Sequence, residues 1–248
     1  MKKYAAIIFD LFDTIVNFNF KNLPYMDKNG VRSRTTSKEV YEVFKKYTPA
    51  VSFDDFYPPF IQSYHLFQEM KKRENREFSN RERFILMLDL MNIPPNERTG
   101  ALADEMVTAH MRGLVSCVEF PAVNKEVLNL AHGKGYRLAI VSNFDYAPTA
   151  HALIERLGIR QLFESVVISE EVGWRKPKDI IFLKALTELS INPADALFIG
   201  DNYDADIAGS NAVGMDGVWI NRNNAAEDDL DPEPVYIVSK LPEIDNFI

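Results

Sequence analysis

Short, nearly continuous apolar runs rich in Val, Ile and aromatic residues recur along the chain, at 4–9, 136–141, 165–169, 196–199, 217–220 and 235–238. Each is too short for a helix. Unbroken apolarity, rather than alternation, marks strands buried on both faces, as in a parallel sheet. Between the later runs the period becomes helical. Ala150, Leu153, Ile154 and Leu157 share one face, and Gly158 stands where a helix end needs positive φ. Ile181, Phe182, Ala185, Leu186 and Leu189 repeat in the same way, after a Pro177 suited to a helix start. Strands alternating with helices predict an α/β class, with a doubly wound, mostly parallel (Rossmann-like) sheet.

Residues 17–118 break this rhythm and carry no good strand pattern. Helical patterns over 37–47, 53–74, 80–91 and 97–114 predict an inserted four-helix-type cap domain. Pro49 and the pairs Pro58-Pro59 and Pro94-Pro95 punctuate it, and Pro58-Pro59 is expected to end, start or kink its helix. The expected division is a core of 1–16 plus 119–248 and a cap of 17–118. Tyr41, Phe44, Phe53, Phe56, Tyr57, Phe60, Tyr64 and Phe67 read mainly as bundle core, a few of them available to close over a substrate.

Composition narrows the function. The 248 residues hold 28 Lys plus Arg against 36 Asp plus Glu, a formal net charge of −8. A nucleic-acid partner needs a basic footprint, so none is expected. An enzyme that handles one phosphate group needs only a few local cations. Apolar residues make up 46% of the chain, enough for a real core. The single Cys117 cannot staple a fold and reads as a small buried hydrophobe. The opening MKKYAAIIF is cut short by Asp10, too soon for a secretion signal, and no run approaches the ~18 apolar residues of a membrane span. The expectation is a cytoplasmic protein with no membrane partner and a small-molecule substrate, as monomer or homodimer.

Four segments carry candidate chemistry. Asp10 follows the first strand, at the edge where open α/β sheets place ligands, with Thr14 four residues on. Ser142-Asn143 follows the second core strand, where a hydroxyl can meet an anion or cap a helix. Lys176 sits before Pro177 at a helix entrance. Gly200-Asp201 follows a later strand, with Asp206 five residues further and Asp204 placed to cap the next helix. Asp10, Asp201 and Asp206 gathered together would repel one another without a cation, and carboxylates with phosphate oxygens suit Mg²⁺. His65 and His110 are isolated, and the acidic stretch 227–233 reads as a solvated loop.

The motifs FDLFDT (9–14), IVSN (140–143), GWRKPKDIIF (173–182) and FIGDNYDADIAGSNAVGM (198–215), in this order, resemble the haloacid dehalogenase-like hydrolase superfamily, in its helical-cap subgroup. The resemblance implies that Asp10 is the nucleophile of a phosphatase working through an aspartyl-phosphate, on a small phosphorylated metabolite. It implies Mg²⁺ held by Asp10, the Phe12 carbonyl, Asp201 and Asp206, the last as ligand or support. Ser142 and the Asn143 amide would bind phosphoryl oxygens, and Lys176 would neutralise phosphate and Asp10. Thr14 would orient the loop.

One position departs from the pattern. Phosphatases of the superfamily carry a second Asp two residues after the nucleophile, as proton donor; here it is Phe12, with Asp13 one step further. Losing general acid–base help costs roughly 10²–10⁴ in rate. Good leaving groups or an acid from the cap are therefore expected. Haloacid dehalogenases have an aromatic residue at that place, and WINR (219–222) is similar to a segment of theirs, with Arg32 or Arg34 candidate carboxylate binders. Those enzymes lack the acidic Gly-Asp, and Asp201 would repel a haloacid carboxylate, so phosphoryl transfer is favoured. A 2-haloacid dehalogenase and a phosphate-binding protein with little turnover stand as alternatives.

Overall fold

The computed structural model describes residues 4–28, 31–225 and 230–248; the side chains at 28, 31 and 32 also lie outside the description. The chain forms two compact units, residues 1–17 with 119–248 and residues 18–118.

The first unit starts with β1 (Ala6–Phe9). After β2 (Asn17–Phe18), where the first unit's segment ends, the second unit's segment brings β3 (Tyr25–Lys28), β4 (Val31–Arg34), α1 (Ser37–Tyr47), α2 (Phe53–Glu74), α3 (Asn80–Leu90) and α4 (Glu97–Val115). The chain continues with β5 (Val118–Glu119), α5 (Ala122–Gly133), β6 (Arg137–Ser142), α6 (Ala147–Arg156), β7 (Ser165–Ile168), α7 (Ser169–Val172) and α8 (Asp179–Leu189). It ends with β8 (Ala196–Gly200), α9 (Gly209–Ala212), β9 (Asp216–Ile220) and β10 (Tyr236–Val238).

Six strands form one parallel sheet in the order β10-β9-β8-β1-β6-β7. All four residues of β1 are fully buried, as are Leu138 to Val141 of β6. This is why both read as unbroken apolar runs: helices cover both faces. Helix α8 packs through the predicted positions Ile181, Phe182, Ala185, Leu186 and Leu189, with Phe182 edge-on to Phe198 at 5.3 Å. Each such side chain contributes roughly 1.5–3 kcal/mol by leaving water. Gly158, at φ +63°, lies just past the C-cap of α6 as expected. The order reverses at β1: the chain builds β6 and β7 on one side of it and β8 to β10 on the other. The crevice at the strands' C-terminal ends is therefore the place for a ligand.

In the second unit, four helices run close to the predicted bounds. Two findings differ from the sequence reading. Helix α2 neither ends nor starts at Pro58 and Pro59 but runs on through them. The amides they lack would have met the carbonyls of Asp54 and Asp55, both exposed, so water can take over. An antiparallel β3–β4 hairpin also precedes the helices, where no strand was expected. Arg34 belongs to this unit's own scaffold: it donates to the carbonyls of Lys21 and Leu23 and stacks over Tyr25 at 3.9 Å. The Arg32 side chain lies outside the described residues. The rings of Phe44, Phe56 and Phe60 form a buried contact series. His110 bonds Thr36 Oγ1 at 2.6 Å, while His65 is exposed. Cys117 is fully buried. No helix among the described residues is long and apolar enough to cross a membrane.

Candidate active site

The adjacent strands β8, β1 and β6 deliver their C-terminal loops to one place. The Asp10 amide bonds Ile199 O at 2.9 Å, which extends the β1–β8 ladder to the carboxylate-bearing residue. The loop then closes tightly, with the amides of Ile15 and Val16 both donating to Leu11 O at 3.0 Å. Asp13 takes a left-handed φ of +58°, uncommon for any residue but Gly, Asn and Asp. The neighbouring Phe12 ring packs on Phe144, with centroids 4.6 Å apart.

Lys176 is 3% exposed, with two hydrogen bonds and an ion pair at its ammonium. It donates to Asp10 Oδ1 at 2.7 Å and Val141 O at 2.8 Å, and pairs with Asp206 Oδ1 at 2.6 Å. The Asn143 carboxamide fixes it from behind, accepting from Lys176 N at 2.7 Å and donating to Lys176 O at 3.1 Å. The Asn143 side chain is thus spent on placing the lysine. Pro177 stands ahead of α8 rather than within its first turn, since Lys178 is the N-cap.

After β8 the chain enters a π-helical turn, Tyr203–Ala208, a form that recurs at functional sites. Its cap is Asn202, which accepts from Ala205 N at 2.9 Å. Asp204, expected to cap, is exposed in the first turn, because the turn starts two residues earlier than its position required. The wide turn carries Asp206 back over the strand end, where its Oδ2 accepts from Asn202 N at 3.0 Å. Only a glycine fits beneath: a Cβ on Gly200 would stand 2.3 Å from that oxygen.

Carboxylate oxygens of Asp10, Asp201 and Asp206 lie within 4.8 Å of one another. Beside them, the Ser142 hydroxyl is 1% exposed and has no hydrogen-bond partner among the described residues. Thr14 Oγ1 is in the same condition, while Thr14 O accepts from Arg222. The structure thus brings together Asp10, Ser142, Asn143, Lys176, Asp201 and Asp206. The model of the haloacid dehalogenase-like hydrolases matches residues 4–214, which hold all of them.

The chain belongs to the haloacid dehalogenase-like hydrolase family.

It is 32% identical over 155 residues to a glyceraldehyde 3-phosphate phosphatase of Methanothermobacter thermautotrophicus, covering 60% of this chain and 68% of that one. A protein of the same name from Pyrococcus furiosus is 27% identical over 247 residues, covering 98% and 92%. A solved 2-haloacid dehalogenase from Pseudomonas syringae shares the fold, with a TM-score of 0.71 at 20% identity over 99% of this chain and 97% of that one.

The electrostatics of this hydrolase's site are those of crowded acids. Burial raises the Asp10 carboxyl; Lys176 opposes this, and Asp206 and Asp201 add to it, leaving it at about 7. Burial, with Asp206 and Asp13 nearby, pushes Asp201 up to about 6. Burial works against the Lys176 ammonium, but Asp10 and Asp206 outweigh it and hold its pKa above the ordinary value. Three carboxylates against one ammonium leave negative charge uncompensated. The site fits a hard divalent cation: an all-oxygen donor set, already gathered.

Sequence reasoning missed two supports. Ser169 grips the backbone of Phe144 in both directions, at 2.9 and 3.1 Å, and Glu170 accepts from Ala147 N at 2.8 Å. Their signal was only their place at the end of β7.

Proposed function

We propose that this hydrolase is a Mg²⁺-dependent phosphatase of a small phosphorylated metabolite, with Asp10 as nucleophile. The observation that carries the reading is the convergence of Asp10, Asp201 and Asp206 within 4.8 Å around the buried Lys176. An Asp10 oxygen attacks phosphorus, forming a P–O bond as the bond to the leaving oxygen breaks; water then attacks the same phosphorus and frees Asp10. Asp10, Asp201, Asp206 and the Phe12 carbonyl would hold Mg²⁺, which supplies charge neutralisation between carboxylate and phosphate. The Ser142 hydroxyl and Asn143 main-chain amide would bind phosphoryl oxygens, and Lys176 would neutralise charge on the transferring group. A cytoplasmic setting is part of the proposal, on the single buried Cys117.

Phe12, packed on Phe144, favours a second reading: a leaving halide needs no proton. Against it stands Asp201, whose charge would oppose a haloacid carboxylate. The two are separated by a substrate screen with and without Mg²⁺, containing glyceraldehyde 3-phosphate, aryl phosphates and 2-haloacids. Mg²⁺-dependent release of phosphate is expected; EDTA-resistant release of halide would overturn the proposal. Aryl phosphates should be turned over faster than alkyl ones, since Phe12 cannot donate a proton. Phe12→Asp is expected to raise alkyl-phosphate turnover up to about 10²-fold. No gain with Mg²⁺ still bound would show that the acid comes from another residue.

Metal removal has a pH signature. Asp10 and Asp201 are raised in the folded protein. Without cation they stabilise the fold below about pH 4, and this is lost as pH rises through about 6 to 7. In EDTA, Tm is therefore expected to fall between pH 5 and pH 8. Mg²⁺ needs ionised carboxylates, so the Tm gain on adding it should be larger at pH 8. Equal gains at both pH values would contradict this assignment.

A further inference from the structure

The WINR segment, read from the sequence as a dehalogenase likeness, has a different use in the fold. We propose that Trp219 is a positioning residue for Asp201, setting the direction of that carboxylate toward the divalent cation. The proposal rests on the metal-site reading above.

The three acids are not held alike. Asp10 is bonded to Lys176; Asp206 is held by Lys176 and by the Asn202 amide. Among the described residues the Asp201 carboxylate has a hydrogen bond only to its own backbone. Its direction depends on its own backbone, just where that backbone leaves β8. Trp219 sits opposite Gly200 in the parallel β8–β9 register, one position short of Asp201. Its indole reaches that one step: Nε1–H donates to Asp201 O at 2.9 Å. The indole is itself fixed. It is 5% exposed, and Tyr203 meets it edge-on at 5.4 Å, while the Tyr203 hydroxyl donates to Pro232 O at 2.9 Å. The tie has work to do because this segment lies beside open space: Asp201, Asn202 and Tyr203, with Trp219 itself, border a cavity of about 690 Å³ in this unit. A peptide beside open space keeps one orientation only if something bonds it. A partner behind a metal ligand typically accounts for 10–100-fold in affinity.

The test is Mg²⁺ affinity by calorimetry on the full chain, in wild type, Trp219→Phe and Asp201→Asn. Phenylalanine keeps the ring against Tyr203 and deletes only the donor. Trp219→Phe is expected to weaken Mg²⁺ binding about tenfold or more, with Tm in EDTA and substrate KM near wild type. Saturating Mg²⁺ should restore kcat, which a merely structural defect would not allow. Wild-type affinity in Trp219→Phe, with binding lost in Asp201→Asn, overturns the proposal and leaves the metal site standing. Wild-type affinity in Asp201→Asn overturns the metal site itself, and the proposal with it. An unmutated indole gives a second reading. The chain has two tryptophans, so in Trp174→Phe protein the emission of Trp219 should change with Mg²⁺ along the calorimetric curve. Emission blind to bound Mg²⁺ contradicts the tie.

Discussion

Replacing Asp10 with Asn is expected to cut turnover roughly 10⁴-fold or more. The amide keeps the shape of the carboxylate but is a poor nucleophile toward phosphorus. The fold should survive. Lys176 keeps Asp206 and Val141 O as partners, and one of three crowded carboxylate charges is removed. In EDTA the variant should melt no lower than wild type at pH 8, where the Asp10 charge is most costly. Steady-state kinetics on the substrate found by the screen, with Tm alongside, checks both parts. Near-wild-type turnover would remove Asp10 as the nucleophile.

Replacing Lys176 with Met is expected to lower stability by about 3–5 kcal/mol at pH 8, the usual cost of leaving buried charges without their partner. The substitution strips Asp10 and Asp206 of the ammonium between them while keeping an apolar stem of similar length. As pH falls below about 7 the Asp10 carboxyl takes up its proton, so the loss should shrink. Mg²⁺ should raise Tm more in the variant than in wild type, because a divalent cation takes over the lost compensation. Activity should fall as well, since no other described cation bridges Asp10 and Asp206. Denaturant melts at pH 6 and pH 8 measure the effect. A loss independent of pH would mean that Lys176 acts through packing alone.

Local physics made most of the scaffold legible. Strands β1, β6 and β8 are buried on both faces, so their sequences had no alternation to misread. Helices α2, α3 and α4 carry their own start signals in Ser52, Ser79 and Asn96; Ser52 caps α2 by accepting from Asp55 N at 3.2 Å. The misreadings came where a rule had a competitor. Pro58 and Pro59 end a helix only if the stranded carbonyls cannot reach water, and Asp54 and Asp55 are exposed. The β3–β4 hairpin has alternating, short and polar strands, which give no hydrophobic signal. In the site, Asp10 and Asp201 announced themselves as charges at strand ends, Lys176 as a charge at a helix entrance, and Asp206 by its place five residues after Asp201. The Asn143 grip on Lys176 and the Trp219 bond to Asp201 are contacts between segments distant in sequence. Neither residue type advertises such a partner.

Oxygen-18 tracing in labelled water tests phosphoryl transfer at Asp10 most directly. Water that attacks phosphorus leaves its label in released phosphate and none in the protein. Water that opens an ester on Asp10, as dehalogenation requires, leaves its label in the Asp10 carboxylate after repeated turnovers. The proposed mechanism predicts labelled phosphate and an unlabelled Asp10 peptide by mass spectrometry. Label accumulating in Asp10, with halide as the co-product, would contradict it.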